Sequence, residues 1–122
     1  MRPVSMELAA QLISFNRHLA LDRVGGDAEL LREVAQLYLE EYPRLLKEIE
    51  ESVRHVDADS LQRSAHTLKG SLGTLGAERA TRLALDLELM GRGKKMTGAD
   101  ETLVELSEAL EKLHDELAAV AA

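Results

Sequence analysis

The 122-residue sequence contains no cysteine and no tryptophan, and only 2% of its residues are aromatic. Without cysteine the chain can form no disulfide, no thiolate zinc site and no cysteine nucleophile. This composition suits a reducing compartment, and we expect a cytoplasmic protein. The length allows one modest hydrophobic core, so residues 1–122 are predicted to form a single domain.

Basic residues and long apolar runs are also scarce. Fifteen Lys and Arg residues stand against 22 Asp and Glu residues, which gives a formal net charge of −7. Such a chain is poorly suited to nucleic acid, whose phosphates bind clustered cations. No apolar run approaches the roughly 20 residues of a membrane span, and residues 1–10 include Glu7 and lack the apolar run of a secretory signal. We therefore expect neither nucleic acid nor a membrane as a partner.

A helical pattern runs through the whole sequence. Leu, Ala and Glu dominate, and apolar residues recur at steps of three and four, which is typical of amphipathic helices. The pattern predicts an N-terminal helix over about residues 5–18 and four longer helices within about residues 27–120. We expect an all-α fold, an antiparallel up-down four-helix bundle with the additional N-terminal helix covering one end.

Local signals set the expected helix boundaries. Asp27 and Asp57 are placed to cap the second and third helices, and Pro43 is expected to kink the second. The fourth helix is predicted over about residues 77–90, followed by a loop over residues 91–98. The second helix is predicted to bury Leu30, Val34, Leu37, Leu45, Ile49 and Val53.

One face of the third predicted helix differs from an ordinary solvated surface. Steps of three, four and seven residues place Gln62, Lys69, Gly70 and Gly73 on the same face as His66. Two glycines inside a helix cost about 1 kcal/mol each relative to alanine, so we expect a compensating role. Their missing side chains would leave the imidazole in a shallow clearing that another protein can approach. The nearby ammonium group is a good partner for a phosphoryl group.

No other catalytic arrangement is readable in the sequence. It has no Gly-rich nucleotide-binding loop and no Ser-His-acid arrangement. Glu111 and His114 have the spacing of a Glu-x-x-His ligand pair, but a di-iron bundle needs two such pairs. We therefore predict no metal site, and the group that reacts with His66 must come from a partner.

Two sets of motifs resemble one known family. The signature of histidine-containing phosphotransfer (HPt) domains of multistep two-component phosphorelays is matched by AHTLKGS at residues 65–71 and GTLGA at residues 73–77. The family's entry into its second helix is matched by LDRVGGD at residues 21–27 and LYLEEYP at residues 37–43.

The resemblance implies a role for each residue around the histidine. His66 would be the phosphoacceptor, Lys69 would stabilise the phosphoryl group, and Gly70 would give a partner access to the ring. The phosphoryl group would pass reversibly between His66 and an aspartate of a response-regulator receiver domain, which supplies Mg²⁺, while the chain needs no cofactor of its own. The other expected partner is an upstream sensor histidine kinase, and the chain is expected to be a monomer.

Docking of the receiver is expected to depend on apolar contacts near the histidine, with charge at the rim. The predicted docking residues are Gln62, Gly70, Gly73, Leu12 and Ile13. Two residues depart from the family pattern. Leu72 stands where a small residue is common, so it belongs either to the core or to the docking surface, and Glu88 would be an unfavourable charge if it lay near the phosphoryl group.

Three other functions are compatible with a helical bundle. The chain could be the phosphoacceptor domain of a larger chemotaxis-type or hybrid histidine kinase, although it contains no ATP-binding domain. A dimerising histidine-kinase core is disfavoured, because such cores usually carry an acidic residue directly after the histidine and a proline soon after, and this chain has Thr67 and no proline there. A scaffold that is never phosphorylated would have no need of His66.

Overall fold

The computed structural model describes residues 13–122, and every regular element in that range is helical. The helices are α1 (Arg17–Arg23), α2 (Ala28–Arg54), α3 (Ala58–Thr74), α4 (Glu78–Arg92) and α5 (Ala99–Ala121). The predicted all-α fold is confirmed over these residues. None of the five helices is long and apolar enough to cross a membrane.

The two predicted aspartate caps are present. The side chain of Asp27 accepts a hydrogen bond from the backbone N–H of Leu30, and that of Asp57 accepts one from the N–H of Ser60. Each carboxylate satisfies one of the backbone donors that the first turn of a helix leaves without a partner. The starts of α2 and α3 therefore lie where the sequence predicts them.

Helix α2 runs unbroken through Pro43, but its buried face in the first half differs from the prediction. Leu30 and Leu37 are 40% and 64% exposed. The buried side chains are Leu31, Ala35, Tyr38, Leu45, Ile49, Ser52 and Val53. The predicted face was wrong in this half of the helix. Leu37 and Leu45 are eight residues apart, and the predicted face has no member between them at a step of three or four. The observed face keeps these steps through the half-buried Tyr42.

Within the described residues, the predicted N-terminal helix over residues 5–18 is confirmed only from Arg17, where α1 begins. Residues 13–16 are not helical, and the side chain of Asn16 caps α1 by accepting a hydrogen bond of 2.9 Å from the N–H of Leu19. The N–H of Asn16 also donates to the carbonyl of Gly76, which ties α1 to the turn between α3 and α4. The rest of the predicted helix, residues 5–12, lies outside the described residues.

Helix α4 continues to Arg92, so the predicted loop begins only at Gly93. Gly91 was expected to interrupt the helix, but it is buried inside it. A Cβ atom at Gly91 would lie 2.6 Å from the carbonyl oxygen of Ala58 and 2.7 Å from the backbone nitrogen of Gln62. This glycine therefore allows close contact between α3 and α4 and does not end the helix.

The four long helices share one core. Helix α3 contacts α2 and α4, and α5 contacts the same two helices. The largest fully buried apolar side chains are Leu31, Ile49, Leu61, Leu68, Leu72, Leu75, Leu87, Leu106, Leu110, Leu113 and Leu117. Leu72 therefore belongs to the core and not to a docking surface. Within residues 13–122, the charged side chain buried with them is that of Glu88.

The packing at Gly91 predicts opposite effects for two glycine-to-alanine changes. Gly91→Ala is expected to lower the free energy of unfolding by roughly 1–3 kcal/mol, because the methyl group overlaps the backbone of α3. Gly70→Ala is the control: its Cβ would meet nothing within 4 Å, so helix propensity should stabilise the chain by up to about 1 kcal/mol. Urea unfolding followed by circular dichroism measures both. Equal stability of Gly91→Ala and the parent chain would contradict this close packing.

Candidate functional site

His66 lies in the middle of α3 on the side that faces away from the core. Its side chain is 66% exposed, while the neighbouring Ala65 and Leu68 are fully buried. Because side chains of a helix lean toward its N-terminus, the imidazole lies over the preceding turn, which includes Gln62. The predicted accessibility of His66 is therefore present in the structure.

Glu88 of α4 is the closest ionisable partner of this histidine. Its side chain is only 1% exposed, and its Oε2 atom lies 2.9 Å from Nδ1 of His66. The same oxygen accepts a hydrogen bond of 3.0 Å from Nη2 of Arg92. The other oxygen, Oε1, forms an ion pair of 2.7 Å with Nζ of Lys69. One buried carboxylate thus holds three side chains from two helices.

The electrostatic environment keeps this carboxylate ionised. Burial by itself raises the pKa of Glu88, but the contacts with Lys69 and His66 outweigh burial and place that pKa below its ordinary value. An ionised carboxylate can only accept hydrogen bonds. Nδ1 of His66 must therefore carry the proton and donate it to Glu88, which leaves the lone pair of a neutral ring on Nε2.

This arrangement suits a nucleophilic histidine. Nδ1 is turned toward the buried carboxylate, so Nε2 lies on the opposite edge of a largely exposed ring. When Nε2 attacks an electrophile, positive charge develops on the imidazole, and the negative charge of Glu88 stabilises it. The carboxylate also holds the ring in one orientation before the reaction.

Gly70 and Gly73 leave the open space that their spacing predicts. A Cβ atom at either position would meet nothing within 4 Å, so packing inside the protein does not require glycine there. A longer side chain at position 70 would lean over the turn that carries His66. Gly73 lines a shallow apolar groove together with Leu19 of α1 and Leu85 of α4.

The remaining predicted docking residues lie at different distances from the histidine. Gln62 is half-buried and lines the same polar cavity as His66. Ile13 is exposed, and its carbonyl accepts a hydrogen bond from the N–H of Arg79. Arg79 precedes Glu88 by nine residues, about 13 Å along α4, so the fold does not bring Ile13 to the ring. Leu12 lies outside the described residues.

Two features near the histidine were not predicted: the surroundings of Glu88 and an exposed leucine. Glu88 does lie beside His66, but its charge is paired there with Lys69 and Arg92, which the sequence did not indicate. The signal was a charged residue within the buried stripe of α4, between Leu87 and Gly91. Leu89, which is 47% exposed on the same helix, was not predicted to face solvent or a partner.

The contact with Glu88 predicts the tautomer of His66. Two-bond ¹H–¹⁵N spectra of the unmodified protein should show the proton of His66 on Nδ1, because an ionised carboxylate requires a donor there. Glu88→Gln should increase the Nε2–H form, while the exposed His55 should be unchanged as an internal control. A wild-type His66 that is protonated on Nε2 in its neutral form would contradict the assigned hydrogen bond.

Comparisons with known proteins identify the fold and the family of this chain. A search of curated proteins finds no significant match. Among solved structures, the fold is similar to that of histidine-containing phosphotransfer protein B (HptB) from Pseudomonas aeruginosa PAO1, with a TM-score of 0.78 and 13% sequence identity over 85% of this chain and 90% of that chain. The family model described as Hpt domain matches residues 33–121. Because that match spans most of the chain, the protein belongs to the Hpt domain family, the phosphocarriers of two-component phosphorelays.

Proposed function

We propose that His66 is the residue that carries the phosphoryl group. The observation that supports this most directly is the 2.9 Å hydrogen bond between Nδ1 of His66 and the buried Glu88, on a ring that is 66% exposed. This contact leaves Nε2 as the nucleophile and keeps it accessible to another protein. Response regulators are the partners that membership of the family implies.

The transfer needs no proton to leave the site. Nε2 of His66 forms a bond to phosphorus while the bond between phosphorus and the carboxylate oxygen of the receiver aspartate breaks. The aspartate leaves as a carboxylate, and Nδ1 keeps its proton toward Glu88. In the reverse direction the ring leaves as a neutral imidazole, with its proton still on Nδ1 and donated to Glu88. The same carboxylate therefore assists both directions.

Lys69 and Gly70 support this reaction in different ways. The ammonium group of Lys69 is held at 2.7 Å from Glu88, one helical turn from His66. It has three donors, so it can contact a phosphoryl oxygen while it keeps this ion pair. Gly70 leaves room for the aspartate loop of the receiver to approach Nε2. Mg²⁺ bound by the receiver would neutralise phosphoryl charge during the transfer, and the chain would need no cofactor of its own.

The surface around His66 suits an acidic receiver. Helices α2 and α5 carry 14 of the 22 acidic residues but only five of the 15 basic ones, whereas α3, α4 and the loop that follows carry seven basic and four acidic residues. The half-buried Leu85 of α4 lines the groove beside Gly73, and Leu89 on the same helix is 47% exposed. We infer that these leucines and Gln62 form the centre of docking, and Leu12 and Ile13 stay predictions.

The architecture that we infer is an antiparallel up-down four-helix bundle with α1 across one end. Three residues connect α2 to α3 and α3 to α4, and six connect α4 to α5. A three-residue link spans at most about 11 Å, far less than the roughly 40 Å length of α2. Consecutive helices in contact must therefore run in opposite directions. We further propose that the chain acts as a monomeric carrier without kinase activity, fed by a sensor histidine kinase.

Substitution of the histidine tests the proposal directly. His66→Gln is expected to abolish phosphoryl uptake from receivers charged with acetyl phosphate and to leave helicity unchanged, because the side chain is exposed. The product on the wild-type chain should be acid-labile and base-stable. Uptake by His66→Gln would refute the assignment. Uptake by the wild-type chain from an ATP-dependent kinase and from no receiver would instead favour a kinase-fed acceptor domain.

A graded series at Gly70 tests access to the ring. Gly70→Leu is expected to slow transfer at least tenfold, because misplacement of reacting groups by about 1 Å can cost a hundredfold. Gly70→Ala should slow it much less, and both variants should fold, since nothing lies within 4 Å of the added Cβ. Stopped-flow or quench measurements against one receiver give the rates. Equal rates for Gly70→Leu and the wild-type chain would show that phosphoryl transfer does not need the open space at position 70.

A further inference from the structure

A polar cavity lies on the side of His66 that faces the N-terminus of α3. It is lined by Asp59, Gln62, Arg63, His66, Glu88 and Arg92. Because the imidazole leans toward this turn, a group attached to Nε2 would sit at or beside the cavity. The cations that line it are arginines, whereas Lys69 lies one turn away in the opposite direction.

Arg92 is the cation of this cavity that already contacts the site. Its Nη2 donates to Oε2 of Glu88 at 3.0 Å, and that oxygen also accepts from Nδ1 of His66. The guanidinium group and the imidazole are therefore separated by one shared oxygen. A guanidinium has five N–H donors, so most of them are available to a second anion. The side chain is 59% exposed and is free to adjust.

Lys69 alone does not balance the negative charge of the phosphorylated site. A phosphoryl group adds about two negative charges near neutral pH, and Glu88 contributes a third. The protonated phosphorylated ring and Lys69 supply two positive charges, which leaves about one negative charge without compensation. Arg92 carries the charge that balances the set.

We propose that Arg92 is a second phosphoryl-binding residue, whose guanidinium group bridges Glu88 and the phosphoryl group on Nε2 of His66. This inference rests on the proposed function. Before transfer, Glu88 holds the guanidinium next to the ring. After transfer, the same group donates to a phosphoryl oxygen as well. Arg92 then favours the phosphorylated form over the unphosphorylated form.

The experiment measures how the phosphoryl group distributes at equilibrium between the full chain and a receiver that exchanges with it. Arg92→Gln should shift this ratio roughly threefold to tenfold toward the receiver, the range for a partly exposed charge-assisted contact. Arg82→Gln is the matched control, since Arg82 pairs with Asp86 at the same four-residue spacing on α4. Docking strength changes forward and reverse rates alike, so it does not alter the ratio.

Each outcome decides between distinct explanations. A shift in Arg92→Gln with an unchanged ratio in Arg82→Gln and an unchanged Nδ1–H tautomer in the unphosphorylated protein supports the direct contact. An unshifted ratio in Arg92→Gln overturns it, as does a shift accompanied by loss of that tautomer, which would mean that Arg92 acts only through Glu88. If the wild-type chain takes no phosphoryl group from any receiver, the proposed function fails and this inference fails with it.

Discussion

The buried carboxylate of Glu88 is the group around which the rest of the site is arranged. Removing a charge from water is unfavourable unless partners compensate for it. Here Lys69 and His66 of α3 and Arg92 of α4 do so within 3.0 Å. The need to satisfy this charge orients the imidazole, keeps two cations close to it and joins α3 to α4 at the site. The contact between α3 and α4 and the proposed reactivity of His66 therefore depend on the same groups.

Glycine serves two opposite purposes near this carboxylate. Gly91 has no room for a Cβ atom, since the backbone of α3 lies within 2.7 Å of that position, and this close approach lets Glu88 reach the histidine. A Cβ atom at Gly70 or Gly73 would meet nothing within 4 Å, so packing inside the protein does not require glycine at either position. The same residue type thus draws two helices together on one side and keeps a surface open on the other.

The distribution of charge differs between the two sides of the bundle. The net charge of −7 suggests a uniformly acidic protein, but the acidic excess lies on α2 and α5. Helices α3 and α4 carry the cations that surround the histidine. A small acidic carrier can in this way keep a high net charge, which favours solubility, and still present a locally basic surface to an acidic partner.

Much of this protein can be predicted from local sequence signals. The aspartate caps, the apolar steps of α3 and α5 and the shared face of His66, Lys69 and Gly70 depend on residues a few positions apart, and helical geometry relates such residues directly. The buried face of the first half of α2 could also have been predicted, by continuing the steps of three and four from Leu45 back through Tyr42. The prediction failed there because a second set of apolar residues has similar local spacing.

The role of Glu88 was decided only by the tertiary structure. It lies 22 residues from His66 on another helix, and no periodic pattern relates the two. The groups that surround Glu88 decide whether its charge is unfavourable. An unpaired carboxylate would repel a phosphoryl group, whereas Glu88 is paired with Lys69 and Arg92 and orients the ring. The extent of α4 and the function of Gly91 were hidden for the same reason, because each depends on how closely α3 approaches. The sequence by itself determined where most of the helices begin and which histidine we propose as the phosphoacceptor, and helix packing decided the environment of that histidine.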